Sequence, residues 1–365
     1  MTTPQWTQWL LSYALQASLV IGVAAALDRW THAATAKSRL WTGCFVSLLG
    51  LLAVGLLAPH VQWASPWSAA PPNVVVSALE VEQTLGSVLL TVWAFGIAVM
   101  VSRGVIDFIR VQRFITRQPR VTSKQDLRIR SLIKPPSLLI DGRQVDLRVA
   151  PEELGPFCYQ FHRPLVFVPE SLLNGEADDD LRNVLIHEMT HLCTEHPMQV
   201  FLQKTTQCVL WFHPLVWMAS GRAGIVREFV CDDAASDQGA STAAYLRTLL
   251  KVVENRQRRF GAGLTIGRSV SEVRLRAARL VANLSEPSGS GGRRAVAGVV
   301  VAAVVATLVW LPVDPLASPR SRMSPWPAWS ASVLHGLGVP ARDFSDFNGS
   351  THVYELLHDA GEVRD

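Results

Sequence analysis

The sequence predicts an α-helical integral membrane protein, with about four transmembrane helices and an α+β domain inserted between the third and the fourth. Three observations carry this expectation. Of 365 residues, 49% are hydrophobic and 18% charged, with a mean hydropathy of +0.21, which is little charge to solvate a soluble surface of this size. Four apolar runs are suited to crossing a hydrocarbon core of roughly 30 Å. Lysine and arginine flank those runs unevenly, as they do where one side of a membrane retains them. The net charge of +4, from 34 basic and 30 acidic residues, is too small to indicate nucleic acid, so no direct nucleic-acid contact is expected.

The first run, Trp9 to Leu27, is expected as a retained span, because Met1 to Gln8 lacks the lysine or arginine that a cleaved signal carries. Trp41 to Ala58 is the second, Leu85 to Val105 the third, and Ala295 to Leu311, behind Arg293 and Arg294, the fourth. Arg29, Lys37 and Arg39 lie between the first two runs, and a basic series from Arg103 to Lys124 follows the third, whereas Pro59 to Gln83 holds no basic residue. These signs place both termini outside and the large middle segment in the cytoplasm of a multi-pass cell-membrane protein. Arg320 and Arg322 oppose this weakly. The expected organisation is residues 1–110 with three spans, 111–292 as the cytoplasmic domain, 293–313 as the fourth span and 314–365 as a short outer tail. Ser288 to Gly292 reads as a linker.

Within the middle segment, Val145 to Ala150 and Leu165 to Pro169 predict short strands of a small sheet. Asp178, Asp179 and Asp180 mark a helix start, and Leu181, Val184, Leu185 and Leu192 continue it at helical spacing through His187. The five cysteines form no C-x-x-C pair, so they are expected as free thiols and not as a disulfide framework or a cysteine zinc site.

On that helix stands His187-Glu188-Met189-Thr190-His191, an H-E-x-x-H motif. Imidazoles at i and i+4 lie on one face and can share one Zn²⁺, while Glu188 is placed to take a proton from the attacking water and return it to the leaving amine. A second helix carries Glu228 and Asp232, again at i and i+4. Glu228 is the expected third ligand, and Asp232 the acceptor that fixes a ligand histidine's outer N–H. Other third ligands fit less well: Thr194 and Pro197 stand where a metzincin needs Gly and His, with His196 one residue out of place. The Asp141-Gly142 pair precedes the histidines, unlike that of a site-2 protease. His213 lies in an apolar stretch, Trp211 to Trp217, where a packed or capping histidine is the expectation. Ser131-Leu132-Ile133-Lys134 has the S-x-x-K form but lacks the S-D-N and K-T-G partners of penicillin-recognising enzymes, and is read as chance.

Together, His187 to His191, the Phe212 to Trp217 segment, Glu228 with Cys231-Asp232-Asp233-Ala234, the Arg163 to Pro169 strand and the order of spans resemble the BlaR1/MecR1-type M56 membrane peptidases, over about Trp9 to Leu311. The resemblance implies a gluzincin-like cytoplasmic zinc metalloendopeptidase with one catalytic zinc. It would be activated by an outside signal and cleave itself, a cytoplasmic transcriptional repressor, or both. The bilayer and a protein substrate are the implied partners, with a homodimer left open. Asp314 to Asp365 is far shorter than the penicillin-binding sensor of the antibiotic receptors and lacks its acylating serine, so β-lactam sensing is not expected. Trp326, Trp329 and Val333 to Val339 suggest either a small partner- or membrane-surface element or a poorly ordered tail, and Asn348-Gly349-Ser350 is given no weight as a glycosylation acceptor. Two rivals stay open: a housekeeping membrane protease of the Ste24/HtpX kind, and a zinc-containing signalling receptor that cleaves nothing.

Overall fold

The computed structural model describes residues 3–64, 66–133, 138–140, 142–160, 163–175, 177–239, 241–260, 266–283 and 292–313, with 323, 333–334 and 336–338 beyond them. Lys134, Asp141, residues 288–291 of the expected linker and most of the tail, with Trp326, Trp329 and Asn348 to Ser350, lie outside the described residues.

Helix α1 (Thr3–Trp30) turns over three residues into α2 (Ala34–Leu57), and α3 (Pro72–Arg117) follows a short 3-10 turn at Pro66–Ala69. Among the described residues these three helices are long and apolar enough to cross a membrane. The third is longer than its apolar run. No Pro or Gly breaks the helix after Gly104, so its 46 residues extend about 69 Å at 1.5 Å per residue. The domain boundary expected after residue 110 therefore falls inside α3, which continues as one rod from the apolar layer to the inserted domain.

That domain begins with α4 (Ser123–Leu132), whose start is fixed by a capping box between Thr122 and Gln125. A two-stranded ribbon, β1 (Leu139–Ile140) and β2 (Arg143–Gln144), precedes β3 (Asp146–Ala150), β4 (Phe157–Gln160) and β5 (Pro164–Pro169). The three-stranded sheet has the order β3-β5-β4, with β3 parallel and β4 antiparallel to β5. The predicted strands thus stand within a residue of their expected bounds, and every residue of the central strand β5 is buried. Its alternate side chains serve two cores. Val166 and Val168 join Leu181, Leu185 and Met189 of the motif helix, while Leu165 and Phe167 meet Phe114 and Ile115 at the end of α3. There Phe157 stacks on Phe167 at 4.4 Å, and the Gln112 amide donates to the Tyr159 hydroxyl.

The helical part runs through α5 (Glu170–Leu173), α6 (Asp178–Cys193), α7 (His196–Val209), α8 (Pro214–Gln238), α9 (Thr242–Phe260), α10 (Ile266–Asn283) and α11 (Gly292–Ala306). Segment 196–230 does not stand apart from the apolar helices. Leu210, Val216, Ala219, Ala223, Val226 and Phe229 belong to the same core as α1, α2 and α11. The fourth apolar run lies on the 15-residue α11 only as far as Ala306 and then tightens, Val309 N donating to Ala306 O. Beyond it the Gln16 amide donates to Val309 O and Leu311 N donates to Ser12 Oγ, so α1 side chains satisfy backbone that has left the helix. All five cysteines are free.

Candidate metal centre

Helices α6 and α8 pack side by side and bring the two carboxylate and imidazole motifs together. His187 Nε2 lies 3.4 Å from Glu228 Oε2, and His191 Nε2 lies 3.6 Å from Glu228 Oε1. Four donors around one ion at about 2.0 Å are separated by roughly 3.3 Å in a tetrahedron, so these spacings fit a zinc-sized ion. Glu188, beside them, is 7% exposed and lies close to the Cys158 thiol of strand β4.

The outer nitrogens of both histidines are held. Tyr245 of α9 stands between His187 and Asp232, its hydroxyl 3.0 Å from His187 Nδ1 and donating to Asp232 Oδ1 at 2.6 Å. Asp232 itself is 3.5 Å from that nitrogen, so the expected acceptor acts through the tyrosine. His187 then donates from Nδ1 to the phenol oxygen and leaves Nε2 free to face Glu228. On the other ring, His191 Nδ1 lies 2.8 Å from His196 Nδ1, which in turn is 3.7 Å from Cys231 Sγ. His196 reaches this place because Glu195, at φ 55°, turns the chain sharply between α6 and α7.

Arg276 of α10 closes the cluster. Its Nη1 is 3.0 Å from Glu228 Oε2, its Nε donates to Asp232 Oδ2 at 2.8 Å and its Nη2 to Asp232 Oδ1. One turn on, Arg279 grips Asp233 with two bonds of 2.7 Å and lies over the Phe229 ring. Sequence reasoning missed Tyr245, His196 and Arg276. His196 alone left a signal, as a histidine just past the motif.

The charges follow from this packing. Burial opposes ionisation of Glu228, but the His187 hydrogen bond and the His187 and Arg276 charges outweigh it and hold the carboxyl well below its usual range. Burial pushes His191 down to about 4, with Glu228 opposing, which keeps the ring in the neutral form that ligates metals. Burial also works against a charged His187, yet the Glu228 carboxylate prevails and shifts it upward. Burial raises Glu188 to about 7, partly offset by His187 and Arg276.

His213 is not part of the centre; its Nε2 faces Ala14 O at 3.1 Å and Ser18 Oγ at 3.0 Å on α1. Cys231 is a rival donor, since ligand atoms of His187, His191 and Cys231 lie within 4.8 Å of one another. Burial and then the Glu228, Glu188 and Asp232 carboxylates push its thiol well up, against the thiolate that metals take.

Apolar spanning helices joined to an H-E-x-x-H helix and a facing carboxylate helix define a membrane protein of metallopeptidase type. The chain belongs to the M56 peptidases: the family model described as BlaR1 peptidase M56 matches residues 11–276, from α1 through Arg276. It is also similar to the regulatory protein BlaR1 of Bacillus licheniformis, 25% identical over 180 residues, which is 48% of this chain and 28% of that protein. The chain thus aligns with little more than a quarter of that relative's length.

The hydroxyl of Tyr245 gives a direct check on the site. Tyr245→Phe removes the bridge from His187 to Asp232 but leaves Asp232 paired with Arg276. Zinc affinity, titrated against a competing chelator, is expected to fall roughly 10- to 100-fold. An unchanged affinity would remove Tyr245 as the group that orients His187.

Proposed function

We propose that this protein is a membrane-embedded zinc metalloendopeptidase that responds to a signal and cleaves itself, a cytoplasmic regulator such as a transcriptional repressor, or both. The observation that carries the reading is the approach of His187 and His191 Nε2 to one Glu228 carboxylate, with Glu188 buried alongside. His187, His191 and Glu228 would hold the ion, and Cys231 would remain a protonated thiol behind them. When bound, zinc supplies Lewis acidity toward a scissile carbonyl and a water. Glu188 accepts the proton of the attacking water and passes it to the leaving amine. Tyr245, Asp232 and His196 hold the two imidazoles in the tautomers that keep Nε2 available. Strand β4 is an edge of its sheet among the described residues, packed against α6 and carrying Cys158 next to Glu188. An extended peptide added to that edge gains main-chain hydrogen bonds and brings its carbonyl to the carboxylate.

Chelation tests the reading. Cleavage by the detergent-purified chain, followed by mass spectrometry of new termini in itself and in a lysate, is expected to stop with a zinc chelator and return with added zinc. Cleavage that survives metal removal would end the proposal. The orientation belongs to the same account, with both termini outside and the α6–α8 centre on the cytoplasmic side, supported by the basic residues at Arg29, Lys37 and Arg39 and after Val105. Reporter fusions after residues 70 and 330 are expected to report the outside; a cytoplasmic signal from either reverses the topology.

A further inference from the structure

We infer that α7 and the first half of α8 form a helical hairpin that dips into the bilayer to its mid-depth and returns on the same side, so the metal centre stands at the membrane surface. Five contacts give the depth. The tip meets α1 and α3 at the centres of their apolar runs. His213 faces Ser18, the midpoint of Trp9 to Leu27, and Trp93, near the middle of Leu85 to Val105, donates from its indole to Val209 O. Trp211 returns the bond to Trp93 O, and so closely that a Cβ on Gly96 would collide with its indole. The mouth meets α1 and α2 where their apolar runs end on the other side of the turn. Ser38 donates to Gln199 at 3.1 Å, and Arg222 donates to Asp28 at 2.9 Å.

The two arms agree in length. From Gln199 to Val209 is ten residue steps, about 15 Å of helix, and from His213 to Arg222 nine, about 14 Å, each about half of a hydrocarbon core of roughly 30 Å. The pattern of exposure supports lipid as the occupant of the outer face. In α7, Gln203, Thr206 and Gln207 are buried while Met198 and Phe201 are 57% and 60% exposed, the inverse of a helix that faces water. On α8, Met218 is 67% exposed while Ser220 is buried. On the inward face of α7, Arg227 donates to Gln203 at 2.8 Å. Lys204 is the one Asp, Glu, Lys or Arg between Gln199 and Ala219, and lies about 8 Å below the mouth, from which its chain can reach back to the surface.

The placement matters for the site. Helix α8 leaves the membrane at Arg222, and Glu228 follows six residues later, about 9 Å further along the same helix. His196 lies three residues above Gln199 on the other arm. On the peptidase reading, this favours substrate segments that run next to the membrane. The hairpin itself does not depend on that reading.

The test is spin-label accessibility in the full-length chain, reconstituted in lipid nanodiscs after exchange of Cys158, Cys193 and Cys208 for serine. Labels go one at a time at Phe201, Phe212 and Met218, with Val88 on α3 as lipid reference and Leu127 on α4 as water reference. Collisions with oxygen are expected to be high and with a water-soluble nickel chelate low at all three sites, deepest at Phe212, with Val88 alike and Leu127 the reverse. Nickel access at Phe201 and Met218 equal to that at Leu127 would put the hairpin in water. Low access to both reagents would mean that protein, such as a second copy, covers the face. Either result overturns the inference, and neither bears on whether the centre cleaves peptides.

Discussion

Glu188→Gln is expected to abolish the proposed peptide-bond cleavage and to leave the metal in place. The amide keeps the size of the buried carboxyl and its place beside Cys158, but it cannot take a proton from water. None of the three proposed ligands is altered. On the proposed reading only the general base is removed, and the rate is expected to fall by about 10²- to 10⁴-fold. The check pairs zinc content with the appearance of new termini, in wild type and variant prepared alike. Wild-type turnover in the variant would show that another group moves the proton, and loss of zinc would show that Glu188 helps to hold the ion.

Glu228→Gln is expected to do the opposite, losing the ion first and activity as a consequence. A neutral amide oxygen replaces the one anionic donor of the set, and a catalytic zinc without its third protein ligand is bound far more weakly. An affinity loss of at least about 100-fold is expected, since removing a mere supporting hydrogen bond already costs roughly 10- to 100-fold. Arg276 keeps its two bonds to Asp232, so the α8–α10 packing holds and the variant remains folded. Zinc content measured on the folded fraction decides the matter. One zinc per chain in the variant would move the third-ligand role elsewhere, with Cys231 the first candidate.

What the sequence makes legible is whatever lies along one helix or one strand. His187, Glu188 and His191 are readable because their spacing alone puts them on a face, and Glu228 with Asp232 for the same reason. Strands β3 and β5 stand out because their valines and phenylalanine serve buried faces. The rest depends on contacts between segments far apart in the chain. Tyr245 and Arg276 come from α9 and α10, and nothing in the spacing of either helix points to the zinc motif. The full length of α3 is hidden for another reason: hydropathy marks where the apolar run stops, whereas the helix stops only at Arg117. The α7–α8 hairpin is hidden most deeply, because Gln203, Lys204, Thr206 and Gln207 make α7 look like a helix in water. Only the packing shows that the polar side faces inward.

The central proposal is that His187, His191 and Glu228 hold a zinc ion, and what supports it is the approach of two imidazoles to the Glu228 carboxylate in an M56 chain. X-ray absorption at the zinc edge of the detergent-purified, zinc-loaded protein tests it most directly. The account predicts one zinc per chain with only nitrogen and oxygen neighbours at about 2.0–2.2 Å. A sulfur neighbour at about 2.3 Å would make Cys231 a ligand and contradict the site as drawn, and a protein that takes up no zinc would contradict the account altogether.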